Sequence, residues 1–212
     1  TIETWAYVED PFRTWIRFAE FAGPNINTNQ NILFGMESDT GKLFYGVYNG
    51  VVVENNYASE TIMPTAEWAH IAVTHSASEV NIYLNGAKVF TQASAELPVS
   101  TERPNMYIGK SNYPQDNLFN GSQKDFIIWN KALSPEDILA SYQGQVLTGN
   151  EAGLLGYYPL TGSVENLSNP NPLSIRERRI QPEKLPFYEQ VSNVPGAHYA
   201  SELHPAFPRN PL

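Results

Sequence analysis

One carboxylate and four side-chain amides fall within nine consecutive positions: Gln115, Asp116, Asn117, Asn120 and Gln123. A calcium ion takes about six to eight oxygens at roughly 2.3–2.6 Å, drawn from carboxylates, amide carbonyls and backbone, so this stretch can supply part of such a shell. The same residues also suit an ordinary polar turn. A second run, Gly23 to Asn31, places Asn25, Asn27, Asn29 and Asn31 at alternate positions. Amides both donate and accept hydrogen bonds, which matches sugar hydroxyls, and they are equally at home in a loop of unusual backbone geometry. Tyr48, Tyr57 and Tyr113 stand near turns, where a ring face could stack on a sugar, and Tyr113 adjoins the acid-and-amide stretch. These residues define the expected metal set (Gln115, Asp116, Asn117, Asn120, Gln123) and the expected ligand set (Asn25, Asn27, Asn29, Tyr113).

Other reactive types point less far. His70 and His75 are five apart on one extended segment, which sends them to opposite faces of a sheet and prevents a shared ligand. Glu37 and Asp39 are two apart, as a hydrolytic pair on one strand face would be, but they run into Thr40-Gly41 and read as turn acids. No nucleophile elbow and no phosphate-cradling glycine loop occurs. Arg176-Glu177-Arg178-Arg179 suits either a processing site or a solvated charge cluster, and the triplets at Asn120 and Asn166 fit the glycosylation acceptor pattern.

The elements that must position these residues are short strands. Thr4–Val8, Trp15–Phe21, Ile32–Met36, Leu43–Tyr48, Val51–Val53, Trp68–His75, Val80–Leu84, Lys88–Phe90, Met106–Gly109 and Phe126–Trp129 read as extended, with turn signals at short intervals. Asn49-Gly50 and Asn85-Gly86 each separate two apolar runs, the pattern of a tight hairpin whose central residues need positive φ. Trp5, Trp68 and Trp129 lie mid-strand and are assigned to the core. One segment breaks the period: Ser134-Pro135-Glu136-Asp137 offers an N-cap, a first-turn proline and first-turn acids, with Leu133 and Ile138 at the staple positions and Gly144 to stop the helix. A single helix near 134–143 follows, and Gly153–Leu160 returns to strand. The expectation from this pattern is an all-β antiparallel sandwich.

Composition bounds the partners. The 212 residues carry a net charge of −9 with 17% charged side chains, 42% hydrophobic residues and no cysteine. Residues 161–212 balance Arg176, Arg178, Arg179, Lys184 and Arg209 against Glu165, Glu177, Glu183, Glu189 and Glu202, so the whole excess sits before them. With no basic stripe to neutralise phosphates, nucleic acid and anionic membranes are poor partners. No apolar stretch is long enough to span a bilayer as a helix. Beyond Leu160 the chain collects Pro170, Pro172, Pro182, Pro186, Pro195, Pro205, Pro208 and Pro211, which divides it into a domain at 1–160 and a proline-rich tail or linker at 161–212. Starting at Thr1 without a signal-like segment, the chain is expected to be an excised piece of a longer protein.

Three stretches in order resemble one family. Glu67-Trp68-Ala69-His70-Ile71-Ala72-Val73-Thr74 with Asn81-Ile82-Tyr83-Leu84-Asn85-Gly86 resembles the paired central strands of laminin-G-like and pentraxin-like jelly rolls. Tyr107-Ile108-Gly109-Lys110-Ser111 with Phe119-Asn120-Gly121 resembles their next strand and turn, and Phe126 to Ile138 their closing strand and helix. The resemblance, over about 1–160, implies an all-β, two-sheet antiparallel jelly-roll sandwich of the concanavalin A-like kind used for extracellular recognition, often with calcium. It carries calcium ligands onto Gln115, Asp116, Asn120 and Gln123. It also places Lys124 where relatives commonly show an aspartate, which weakens a metal site. The function expected is a secreted or cell-surface, non-catalytic module that binds a glycan or glycoprotein through rim loops, with Ca2+ as the expected cofactor. Other domains of the same larger protein are further expected partners. The alternatives are a structural or protein–protein interaction domain of an adhesin or toxin, and a polysaccharide-cleaving enzyme.

Overall fold

The structure, a computed structural model, describes residues 1–24, 30–50, 54–161 and 167–168. It contains the strands β1 (Ile2–Val8), β2 (Arg17–Ala22), β3 (Ile32–Glu37), β4 (Lys42–Tyr48), β5 (Glu54–Ile62), β6 (Trp68–His75), β7 (Glu79–Leu84), β8 (Ala87–Ala93), β9 (Asn105–Ile108), β10 (Gly121–Trp129) and β11 (Leu154–Tyr158). The helix α1 (Pro135–Tyr142) stands between the last two. Six strands form one sheet in the order β11-β10-β1-β6-β7-β8, and five form the other in the order β5-β4-β3-β2-β9. Neighbours pair antiparallel throughout, which gives the expected two-sheet sandwich.

Alternation along the strands builds the interior between the sheets. Phe18 meets Phe34 and Phe119 edge-on at ring-centroid distances of 5.2 and 5.8 Å, and Phe21 meets Phe126 at 6.5 Å, inclined edge contacts that suit the aromatic quadrupole. Ala6, Val8, Ile71, Val73, Val80 and Ile82 from the six-stranded sheet complete this layer, all essentially without solvent exposure.

The second hairpin forms as the Asn-Gly signal requires: Asn85 has φ 50° and Gly86 φ 76°, between β7 and β8. At the first, Tyr48 pairs with Glu54 across the turn, while Val51–Val53 lie outside the described residues. The strand that follows is instead the polar run Glu54–Ile62 at the edge of the five-stranded sheet. Its alternation is masked because one of its faces looks outward, and an edge strand needs little apolar content. Glu37 is the last residue of β3, paired with Lys42, and Asp39 lies in the turn that follows Ser38 at φ 46°.

Helix α1 starts on a full capping box, with Ser134 Oγ accepting from Asp137 N and Asp137 Oδ2 accepting from Ser134 N. Leu133 and Ile138 seat it on a second apolar cluster with Ala72, Tyr83, Ile127 and Trp129, on the outer side of the six-stranded sheet. Buried Glu3 ties the helix down: it accepts from Trp129 Nε1 at 2.8 Å and Ser141 Oγ at 3.4 Å, and its other oxygen lies 3.3 Å from His70 Nε2. His70 is thus a structural residue.

Trp129 is buried as expected, but Trp5 and Trp68 are not core residues. Both are half-buried on the outer face of the six-stranded sheet, and neither belongs to an apolar cluster. A mid-strand position fixes only which face a residue takes, and period 2 cannot say which face is the inner one. After β11 the chain turns at Leu160 (φ 56°, buried), and Leu167 N and Ser168 Oγ donate to the carbonyls of Tyr157 and Leu155.

Candidate functional site

The stretch 110–120, between β9 and β10, is pinned both to the end of β9 and to residues far away in sequence. Phe119 N donates to Gly109 O and Asn117 N to Thr14 O. Asn117 Nδ2 reaches the same Thr14 carbonyl at 3.3 Å, and Arg13 Nη2 donates to Asn117 Oδ1 at 3.3 Å. Asn112 Nδ2 donates to Asn105 O, and Tyr113 Oη accepts from Asn31 Nδ2 at 3.2 Å. The loop therefore lies against β2 and β9 at one margin of the five-stranded sheet.

Beneath it is a buried charged cluster. Arg17 Nη2 stands 3.2 Å from Asp116 Oδ2 and Arg17 Nε 3.3 Å from Glu20 Oε2; the three side chains are at most 5% exposed. Ser111 Oγ lies 2.7 Å from Asp116 Oδ2 and 3.0 Å from Glu20 Oε2, and accepts from Tyr113 N at 3.0 Å. One hydroxyl carries one proton, so it cannot donate to both carboxylates together. Burial pushes both acids up from their ordinary values, with Arg17 and Ser111 opposing the shift in each. Two acids about one guanidinium place an excess of negative charge in a dry place, so each holds a proton more tightly than a free carboxyl does. Tyr113 is pushed up to about 12, first by burial and then by the carboxylate of Glu20. The guanidinium of Arg17 also packs over Trp15 and Phe44, at 5.4 and 5.9 Å from the ring centroids.

A β-bulge explains how Arg17 and Glu20 come together. Residues three apart on a regular strand face opposite ways, but the register of β2 against β3 shifts between Arg17 and Ala19. Arg17 then pairs with Gly35, and both charged residues face outward while Phe18 and Phe21 face in. Sequence reasoning missed Arg17, Glu20 and Ser111. The one available signal was a charged pair inside an otherwise apolar strand opposite a glycine.

The expected metal set does not converge. Asp116 faces Arg17 and Ser111, and Asn117 is spent on Arg13 and Thr14. Gln115 is exposed, and Asn120 O accepts from Glu9 N. Gln123 is buried on β10 opposite Ala6, pointing into the sandwich, where its Nε2 donates to Phe18 O at 3.3 Å. The donor set at Asp116 does not fit a calcium ion, because a guanidinium already holds the carboxylate face a cation needs. Among the described residues no group of three or more His, Asp or Glu side chains could hold a metal. Of the expected ligand set, Tyr113 is half-buried on the loop, and Asn25, Asn27 and Asn29 lie outside the described residues. Asn31, next to them, is fully buried, and its Oδ1 has no hydrogen-bond partner.

A cavity of about 540 Å³ opens elsewhere, between the sheets, with Phe21, Ile32, Tyr45, His75, Arg103 and Met106 in its lining. Tyr45 Oη and His75 Nδ1 satisfy each other at 3.2 Å, and burial drives the phenol up and the imidazole down, which leaves both neutral. Arg103 is turned to the carbonyls of Gln30 and Val99. This space offers apolar volume with few converging polar groups.

A family model described as the concanavalin A-like lectin/glucanases superfamily matches residues 1–139. Among curated proteins, none matches the chain in sequence. Several solved structures share the fold. Domain 4 of AbnA, a GH43 extracellular arabinanase from Geobacillus stearothermophilus solved with arabinotriose, is 18% identical with a TM-score of 0.53, covering 65% of this chain and 63% of that one. The CBM40 of a Ruminococcus gnavus sialidase, bound to α2,3-sialyllactose, is 12% identical with a TM-score of 0.56, covering 66% and 80%. A Bacteroides ovatus protein described as carbohydrate-binding is 19% identical with a TM-score of 0.55, covering 76% of this chain. The chain spans 46% of that protein's length. At these identities the likeness is one of fold.

Proposed function

The chain belongs to the concanavalin A-like lectin/glucanases superfamily, and on that footing we propose that it is a non-catalytic glycan-recognition module that works outside the cell. The loop at 110–118 is its binding rim. One observation carries the reading: the buried Arg17–Glu20–Asp116–Ser111 cluster fixes that loop from below, so its outward groups are held in place before a ligand arrives. Preorganisation of this kind lowers the ordering cost of binding. Tyr113, Gln115 and the amide-rich segment 25–29 are the groups proposed to meet sugar hydroxyls and ring faces.

The same cluster supports the absence of catalysis. Glycoside hydrolysis needs two carboxylates that reach the scissile bond. The side chains of Glu20 and Asp116 are buried and committed to Arg17 and Ser111. Arg17 also supplies the counter-charge that calcium would bring, so binding at this rim is proposed to be metal-independent.

The test is a glycan array probed with the whole chain, followed by titration of any positive. We expect a specific signal that Tyr113→Ala weakens about tenfold or more, a loss of 1.4 kcal/mol or greater. An array without signal overturns the reading. Thermal melts in EDTA and in millimolar calcium are expected to coincide. An ion bound at 100 times its Kd would instead raise Tm by about 5–10 °C.

A further inference from the structure

The cavity of about 540 Å³ lies on the inner side of strands whose outer side carries the charged cluster. Phe21 and Ile32, paired across β2 and β3, line it, whereas Glu20 and its partner Asn31 face the other way. Ile32, Met106 and Ile128 pack against the main core yet stay half-buried, because the sheets leave space beside them. Ala77, Leu97 and Lys131 stand exposed at its margin, so it opens to solvent. Its volume falls within the range of small-molecule sites, roughly 300–1,000 Å³.

Charge is distributed unevenly around this space. No aspartate or glutamate lines it, although the chain has 22 acidic against 13 basic residues. Arg103 does line it, and among the described residues no carboxylate lies within ion-pair distance of its guanidinium. Its Nε donates to Gln30 O at 3.0 Å and its Nη2 to Val99 O at 2.9 Å, both uncharged acceptors, which leaves Nη1 uncommitted. Burial lowers this group from its ordinary value, with the Tyr45 phenol opposing the shift. A cation drawn out of water is costly until an anion joins it. Tyr45 and His75, bonded to each other and neutral, bring none.

We propose that the cavity binds a small monocarboxylic acid with an apolar body, the carboxylate meeting Arg103 and the body lying along Ile32, Met106 and Ile128. The guanidinium fork matches a planar carboxylate in charge and in geometry together. The apolar walls reward a hydrocarbon body by removing it from water. A saccharide would find few partners for its hydroxyls there, and a doubly charged phosphate would leave one charge unmatched in a dry space. No residue of 110–118 lines the cavity, so this site stands or falls independently of the glycan rim.

Octanoate, octanol and acetate test this on the full chain, labelled at its isoleucine and methionine methyls and followed by NMR. Octanoate is expected to shift Ile32, Met106 and Ile128 to saturation, while Ile16 and Ile71 in the closed core stay still. Octanol has the same body without the charge, and is expected to bind about tenfold more weakly or worse. Acetate, a carboxylate without a body, is expected to leave these methyls unmoved. Arg103→Gln is expected to weaken octanoate about tenfold and to leave octanol unchanged, and the retained octanol binding shows that the variant folds. Where Arg103→Gln does not fold, the preference of the unaltered chain for octanoate over octanol decides by itself. No shift with octanoate, equal affinity for octanoate and octanol, or full octanoate affinity in Arg103→Gln overturns the proposal. So do contacts, in the probe-free chain, between these methyls and any residue beyond 168, because that segment then fills the cavity.

Discussion

Arg17→Met is expected to lower stability by about 3–5 kcal/mol at neutral pH, the usual cost of removing one partner from a buried ion pair. For a domain of this size that is a fall in Tm of roughly 6–20 °C. The methionine fills most of the volume and keeps contact with Trp15 and Phe44, so the loss is electrostatic rather than a cavity effect. Glu20 and Asp116 would be left as two desolvated acids with only Ser111 between them. The pH dependence identifies the cause. Burial already raises both carboxyls in the folded chain, so the folded state binds protons more tightly than the unfolded state. Stability from these groups therefore grows as pH falls toward ordinary carboxylate values and declines as pH rises through the raised ones. Without Arg17 the raised range moves higher still. The penalty measured by urea unfolding should shrink clearly between pH 7 and pH 5, and Glu20→Gln with Asp116→Asn added to Arg17→Met should recover much of it at pH 7. A penalty equal at both pH values would show that packing, not charge, accounts for it.

Gly35→Ala is expected to be at least as damaging. A Cβ at Gly35 would stand 2.1 Å from the carbonyl oxygen of Ile16 and 3.0 Å from Cα of Arg17. Both are backbone atoms, and the Ile16 carbonyl is itself engaged by Met36 N at 2.8 Å. No rotamer change relieves the clash. Either β3 separates from β2 or the bulge at 17–19 collapses, and the second outcome would turn Arg17 or Glu20 toward the apolar interior. We expect a loss above about 4 kcal/mol, in the range reserved for a few severe mechanisms, seen as low soluble yield and a weakened β-sheet signal in circular dichroism. A soluble Gly35→Ala chain with wild-type Tm would mean that the strands approach less closely than described.

The residues differ in how far they announce their surroundings. Local chemistry was readable: Asn85-Gly86 specified its turn, and Ser134 to Asp137 specified the start of α1, because each signal and its effect lie within four residues. The two-sheet architecture followed from alternation and turn spacing. Polar strand β5 was not seen, since an edge strand with an outward face lacks the apolar pattern that marks a buried one. The charged cluster was hidden for a different reason. Arg17 and Asp116 are 99 positions apart, and a bulge reverses the facing that simple alternation assigns to Arg17 and Glu20. Asp116 stands out in the sequence as a lone carboxylate among amides, but the group it faces is an internal guanidinium. Trp5 and Trp68 lie on strands as expected but on the outer side of the sheet, since hydrophobic size alone does not distinguish the inner face from the outer one.

Strand β1 sits in the middle of its sheet, between β6 and β10, and Ile2 is matched to Ile128. During synthesis the ribosome therefore releases this strand long before its second neighbour exists. At about 5–20 residues per second, the interval is on the order of ten seconds. Until then one side of β1 offers unsatisfied amide and carbonyl groups to any passing extended chain. Closing so distant a pair also slows folding. Nascent copies of this polypeptide are consequently most vulnerable to mispairing while the ribosome is still working toward the far end of the same sheet.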